Sequence, residues 1–308
     1  MAHEDILKEL DRRREKAAGM GGLEKLEKRK ARGQLNAWER MEALVDADSF
    51  IETGLLGASS VIKLDEERTP RDGKIVGFAK VDGRDIGLCV NDFTVKGAST
   101  SATNSKKMGH IRTVATQKGF PFVHVGESTG ARLPDAMGSR GMGNLLGNDT
   151  TQFRRMRDTP WASAALDTAF GSSAWLCCCS DFAVMKKGSI MSVSSPRLVS
   201  MAIGEKVDLE ELGGWRLHAD QTGLIDRFVD TDEEAMAELS SAAGWTTSAS
   251  EQAVRRESEN SDFWNHRSIG IFNSSPIRSD EEGNLGIPAP ASAFEDTQNR
   301  SSPCGSIF

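Results

Sequence analysis

Apolar residues along this chain recur at two spacings, and the change from one to the other divides it. From Glu4 to Ala18 and from Gly22 to Lys30 the regular apolar signal is a narrow stripe, Leu7, Leu10, Leu23 and Leu26, set in runs of Lys, Glu and Arg. This helical spacing predicts two surface helices that dock by one edge, with Arg12, Arg13 and Arg14 on a solvated face. A third short amphipathic helix is predicted from Trp38 to Val45. The charged stretch Leu64 to Asp72, with Pro70 and Asp72-Gly73 as turn signals, predicts an exposed loop. The period then falls to two. Lys74–Lys80 and Asp85–Asn91 alternate on either side of Asp82-Gly83, which predicts a β-hairpin.

Beyond the hairpin, Asp92 to Ser99 leaves the sheet and a helix is predicted from about Ser105 to Gln117. Strand, loop and helix then repeat. Phe120–Val125 precedes a helix from Ala131 onward, Trp161–Leu166 precedes a helix opening near Ser172, and Phe182–Met185 precedes a helix from Pro196 to Ala202. Such alternation implies parallel strands joined by crossovers, which a doubly wound sheet shares with other α/β architectures. After about Trp245 the chain turns rich in Ser, Asn, Glu and Pro, and Asn273–Phe308 has no apolar periodicity. An irregular or disordered tail is expected there.

Charge narrows the partners. The 308 residues carry a net charge of -7, which argues against a nucleic-acid platform, since phosphate binding leans on clustered Lys and Arg. No apolar run approaches the roughly 20 residues of a membrane helix, and Met1 to Lys30 lacks a signal-peptide core, so a cytoplasmic protein is expected. Cys177, Cys178 and Cys179 are contiguous, with Cys89 and Cys304 far away. That spacing suits neither disulfides nor a tetrahedral metal shell, and no metal is expected.

Two small-residue corners carry the candidate chemistry. In His124-Val125-Gly126-Glu127-Ser128-Thr129-Gly130-Ala131-Arg132-Leu133-Pro134-Asp135 an apolar strand runs into a Gly-Ala turn; Phe170-Gly171-Ser172-Ser173 makes a second. Turns with so little side chain expose their N–H groups, which can stabilise an oxyanion by several kcal/mol where water is scarce. His124, inside the strand, reads as a core histidine and His218 as structural. Glu127 either orients the loop or serves as a base. Met137–Gly147 suits a mobile lip over a pocket, or a simple flexible loop.

The order of segments around these corners resembles the carboxyltransferase β-subunits of biotin-dependent acyl-CoA carboxylases, the propionyl-CoA and methylcrotonyl-CoA type. Five stretches carry the resemblance, which reaches about Ala237: Ala31-Arg32-Gly33-Gln34-Leu35 with Glu39-Arg40; Asp92-Phe93-Thr94-Val95-Lys96-Gly97; Glu127 to Asp135; Ser180-Asp181-Phe182-Ala183-Val184-Met185; and Glu210-Glu211-Leu212-Gly213-Gly214 with His218 and Gly223. It implies an α/β, crotonase-like spiral of ββα units over residues 49–245, preceded by a helical arm at 1–48 and followed by the irregular tail at 246–308. The family usually has Gly-Gly where Gly171-Ser172 stands and Gly where Thr129 stands. Only the first of the family's two spiral copies is recognisable here.

The resemblance further implies that Gly130, Ala131, Gly171 and Ser172 form an oxyanion hole for the enolate of an acyl-CoA thioester, the second donor helped by a helix N-terminus. Carboxyl would come from carboxybiotin, biotin being held on a partner carrier. Arg32, Lys96, Gly97, Ala98, Thr129 and Arg132 are the implied coenzyme A contacts. The implied partners are a biotin carboxyl carrier or biotin carboxylase subunit and a second carboxyltransferase chain bearing the biotin-facing half, in a homo- or hetero-oligomer. Two alternatives stand beside this: a biotin-independent decarboxylase of a malonyl-type thioester, resembling the β-subunit of malonate decarboxylase, and an inactive assembly subunit.

Overall fold

A mixed sheet bends twice along its central strands, and those bends set where the chain's small-residue corners lie. The computed structural model describes residues 2–59, 68–136 and 159–244, all within the contact unit Met1–Arg255. The arm comprises α1 (Ala2–Ala18), α2 (Leu23–Lys30) and α3 (Ala37–Leu44). Asn36 caps α3 by accepting from the Trp38 and Glu39 N–H groups, while Glu39 reaches back to Asn36 N–H in a capping box.

The sheet contains β1 (Ile51–Glu52), β2 (Lys74–Val81), β3 (Arg84–Asn91), β4 (Phe122–Thr129), β5 (Trp161–Phe170), β6 (Phe182–Lys186), β7 (Ile190–Ser192) and β8 (Arg227–Val229). Its order is β1-β2-β3-β4-β5-β6-β8, with β7 beside β5. β1, β2 and β3 pair antiparallel, and from β3 onward the pairings are parallel. The helices are α4 (Ala102–Lys118), α5 (Leu133–Ala136), α6 (Ser172–Cys178), α7 (Pro196–Ile203), α8 (Leu209–Gly213), α9 (Trp215–Leu217) and α10 (Asp232–Gly244). None of the helices among the described residues is long and apolar enough to cross a membrane.

Alternation along the strands feeds apolar clusters on both faces of the sheet. On one face Ile75, Ile86, Leu88, Val90, Val123, Val125 and Ala164 pack on Met41 and Leu44 of α3 and Met236 and Leu239 of α10. On the other, Val76, Cys89, Phe122 and Trp161 meet Met108 and Ile111 of α4 and Leu176 of α6. A fully buried Leu or Phe contributes roughly 1.5–3 kcal/mol each, so these faces hold the sheet between its helices. His124 lies wholly inside the second layer, where burial, aided by Lys74 and Arg112, pushes its pKa well below the usual histidine value. It is a neutral core residue.

On the edge away from β4, strand β5 serves two neighbours. Its first half, Ala162–Ala165, pairs with β6, and Thr168–Phe170 pairs with β7. Between them Asp167 takes φ 52, a left-handed conformation that turns the strand. The β4 register shifts at the matching point, between Gly126 and Ser128, as a β-bulge does.

One sequence expectation fails here. The end of the 64–72 stretch is not exposed: Thr69, Arg71 and Asp72 are buried. The Asp72 carboxylate accepts from Ser101 Oγ, from Asn104 N–H and from Arg132 Nη1, and those bonds take its charge out of solvent. The 137–147 lip and the C-terminal tail lie outside the described residues.

Candidate active site

The parallel register of β4 and β5 matches Thr129 with Phe170, so the residues that follow, Gly130 and Gly171, emerge side by side from adjacent strands. Contact is close. A methyl group at position 171 would stand 3.1 Å from Gly130 Cα and 3.9 Å from Ala131 N. Gly171 has φ 62 with ψ -120, and Gly130 has φ 96; side chains are strained in both conformations, and glycine is free to adopt them.

The glycines' own amides are spent, which refines the expectation for this corner. Gly130 N–H donates to Ser128 Oγ (3.0 Å) and Gly171 N–H to the Ser192 carbonyl (3.2 Å). Their contribution is room and backbone shape. The next two amides, Ala131 N–H and Ser172 N–H, have no partner among the described residues. Ser172 opens α6, whose first N–H groups have no intrahelical acceptor. With only seven residues in α6, the N–H group itself matters more than any macrodipole.

A third segment joins the two corners. Thr100 forms a parallel bridge with Ala131: Thr100 N–H donates to the Gly130 carbonyl and Arg132 N–H donates to the Thr100 carbonyl, both at 2.8 Å. Thr100 Oγ1 also lies 2.7 Å from Ser172 Oγ. Just before it, Lys96, Gly97 and Ala98 have φ values of 50, 62 and 47, a left-handed turn pressed on the first corner. Thr129 Oγ1 donates to the Gly97 carbonyl and Ser128 Oγ to the Ala98 carbonyl, each at 3.3 Å. A Cβ at position 97 would stand 2.6 Å from Thr129 Cγ2, so the close approach requires glycine.

Of the other expected contacts, Arg32 lies exposed just after α2, on an arm tied to this segment by Lys25 Nζ donating to the Thr94 carbonyl (2.8 Å) and Gly21 N–H donating to Thr94 Oγ1 (2.9 Å). Arg132 departs from expectation. It is 6% exposed, and its guanidinium donates to Asp72 Oδ1, Ser99 Oγ and the Ser99 carbonyl. Those bonds leave it holding the loops together instead of presenting charge to a ligand.

Beneath the corners lies a charge network that sequence reasoning missed. Arg29 donates to both oxygens of Glu127 (2.8 and 3.0 Å), and Arg40 Nη1 to Glu127 Oε2 (2.6 Å). Arg40 also donates to Asp232, as does Lys186, which lies 3.0 Å from Asp167. Three cations and three carboxylates thus balance around the strand bends. With guanidinium groups on both of its oxygens, Glu127 is a clamp and not an available base. Asn91 braces the site from the other face, donating from Nδ2 to the Glu127 carbonyl and to Ser173 Oγ while accepting from the buried Lys74. His218 is a strut: Nε2–H donates to the Met191 carbonyl and Nδ1 accepts from Thr222 Oγ1, both 2.9 Å.

The network makes acid stability predictable. Burial pushes the Asp232 pKa up, but Arg40 and Lys186 outweigh it and hold the carboxyl below its ordinary 3.8. A depressed folded-state pKa adds stability that is complete above the unfolded value and is lost as pH falls through the folded one. Denaturant unfolding over a pH series should therefore show stability falling as pH drops below about 4, with a shallower fall in Asp232→Asn. Identical slopes would remove Asp232 from that role.

Residues 28–272 match the family model described as the carboxyl transferase domain. The propionyl-CoA carboxylase beta chain of Roseobacter denitrificans is 31% identical over 241 residues, covering 76% of this chain and 46% of that protein. The methylmalonyl-CoA decarboxylase subunit alpha of Veillonella parvula is 27% identical over 232 residues, 74% of this chain and 45% of that one. A transcarboxylase 12S structure described as a hexamer with methylmalonyl-coenzyme A bound superposes with a TM-score of 0.70 at 26% identity, over 80% of this chain and 48% of that one. This chain spans about half the length of the curated relatives it matches.

Proposed function

Because the chain belongs to the carboxyl transferase domain family and has its crotonase-like fold, we propose that it is the acyl-CoA side of a carboxyltransferase in an acyl-CoA carboxylase. The observation that carries this reading is the approach of Gly171 to Gly130 and Ala131, with two amides on the meeting corners that have no partner among the described residues. In the proposed mechanism Ala131 N–H and Ser172 N–H donate to the thioester oxygen as charge moves onto it from the α-carbon. Fixed amides bind that enolate more strongly than the neutral carbonyl, and this difference is what lowers the barrier.

The surrounding residues take distinct parts. Lys96, Gly97, Ala98 and Thr129, on the turn pressed against the first corner, are placed beside the coenzyme A moiety, with Arg32 at its phosphates. Arg132 positions the loop. Biotin, borne by a partner carrier protein, supplies the carboxyl group when bound. Its binding face is assigned to another chain, because the corners described here are accounted for by the thioester. The arm at 1–48 and the domain at 49–245 would act together, since Arg29 and Arg40 of the arm reach Glu127 and Asp232 of the domain.

A second reading is favoured by the decarboxylase relative. There the same amides would hold the enolate left as carbon dioxide departs. One experiment separates the two. The full chain is incubated with methylmalonyl-CoA with and without free biotin, and carboxyl transfer and carbon dioxide release are both followed; thermal shift is recorded with each thioester. We expect the thioester to raise the melting temperature, as a ligand at 100 times its Kd adds about 2.7 kcal/mol, and no carbon dioxide release in the absence of biotin. Biotin-independent carbon dioxide release supports the decarboxylase, and no thermal shift with any thioester overturns both.

A further inference from the structure

Thr100 is bonded to both turns, at Gly130 and Arg132 on one side and at Ser172 on the other, and resting on the reading above we propose that it is a positioning residue that sets the separation of the two amides. Its main chain grips both sides of Ala131, through the Gly130 carbonyl and the Arg132 N–H. Its hydroxyl reaches the Ser172 hydroxyl at 2.7 Å. Each donor of the hole is thereby bonded, directly or through its neighbours, to the same residue. Gly130 and Gly171 cannot set that spacing by themselves, since neither has a side chain and both lie at positive φ.

Thr100 itself is held firmly. It is 6% exposed. Beside it, Ser99 accepts from Arg132 Nε through its hydroxyl, and Ser101 caps α4 while bonding Asp72. The hydroxyl pair therefore transmits the position of a rigid segment to the second corner. A misplacement of about 1 Å can cost on the order of 100-fold in rate, because an amide aimed short of the developing charge no longer discriminates it from the ground state. Ser172 occupies a position where a glycine could make no such bond, so the link depends on this chain's own serine.

The test uses Thr100→Val, which keeps shape and main-chain bonds but removes the hydroxyl, with Thr100→Ser as rescue and Ser172→Ala from the other side. In the full chain Thr100→Val is expected to lower kcat about 10- to 100-fold with KM for the thioester little changed. Thr100→Ser should restore most of the loss. The Thr100→Val, Ser172→Ala double variant should be no worse than either single, since both cut one link. The affinity ratio between a nitronate analogue of the enolate and the plain thioester, measured by calorimetry, gives a readout without turnover. It should fall in Thr100→Val and in Ser172→Ala. Additive losses, or a ratio unchanged in both variants while wild type favours the nitronate, would overturn the positioning role alone. A wild-type chain that binds both analogues equally would overturn the oxyanion reading itself.

Discussion

Alanine in place of Gly171 is expected to remove roughly 100- to 1,000-fold of turnover, the size of effect seen when one oxyanion donor is lost, with far less change in affinity for the coenzyme A thioester. Two physical costs meet at this position. The backbone lies at φ 62, ψ -120, which a Cβ disfavours, and the new methyl would stand 3.1 Å from Gly130 Cα and 3.9 Å from Ala131 N. The nearest obstruction is main chain, so it cannot swing aside as a side-chain tip would. Either the corners part or the methyl occupies the space in front of the amide.

Gly130 is a useful contrast. Among the described residues a Cβ there meets only Phe170 Cβ, at 3.9 Å, so the cost of Gly130→Ala is backbone strain at φ 96 without a blocked hole. The larger loss should therefore fall on Gly171→Ala, while a bulkier or φ-restricted Gly130→Val should approach it. Steady-state kinetics on both alanine variants, with thermal melts to confirm folding, check the ranking. Full activity in Gly171→Ala would remove the corner from the mechanism.

Helices α1 to α7, the hairpin and the alternation of strand and helix were legible because each has a local cause, whereas α8, α9 and the core helix α10 were not read from the sequence. Asp82-Gly83 marks the hairpin turn between Lys74–Val81 and Arg84–Asn91, and the narrow Leu stripe marks α1 and α2. The strands ended too early in the sequence reading, at Val125 and Leu166, because apolar character stops there. In the structure Glu127, Ser128, Asp167 and Thr168 continue β4 and β5 as polar residues, supported by ion pairs and hydroxyl bonds no local pattern announces. The two glycine corners were visible one at a time. That they meet depends on a parallel register linking Thr129 to Phe170, 41 positions apart, which is set by packing of the whole sheet. Thr100 carried no signal at all, since its role lies in what it touches. Arg132 was misread because a conspicuous cation beside a glycine loop looks the same in sequence whether or not a buried aspartate takes its charge.

Removing the Glu127 carboxylate, as in Glu127→Ala, is expected to destabilise the fold by about 3–5 kcal/mol, the range for breaking a buried ion pair from one side. That is a large part of a domain's total stability of about 5–15 kcal/mol. The loss arises from what remains: Arg29 and Arg40, 8% and 0% exposed, would keep their charges with one carboxylate fewer to balance them. Asp232 and Asp167 cannot take up the difference, because Asp232 is already shared between Arg40 and Lys186 and Asp167 stands 3.7 Å or more from either guanidinium. Function should fall with stability. Glu127 sits within the β4 register shift that aims Ser128, Thr129 and Gly130, and the arm reaches the corners through this carboxylate. Denaturant midpoints for Glu127→Ala and for a double variant, Glu127→Ala with Arg40→Met, test the cause. If uncompensated charge is responsible, the second change should recover part of the loss, whereas the exposed control Glu9→Ala should leave the midpoint in place. A double variant less stable than Glu127→Ala would mean that Arg40 acts through packing or Asp232 instead, and that the strand bend is held by something other than balanced charge.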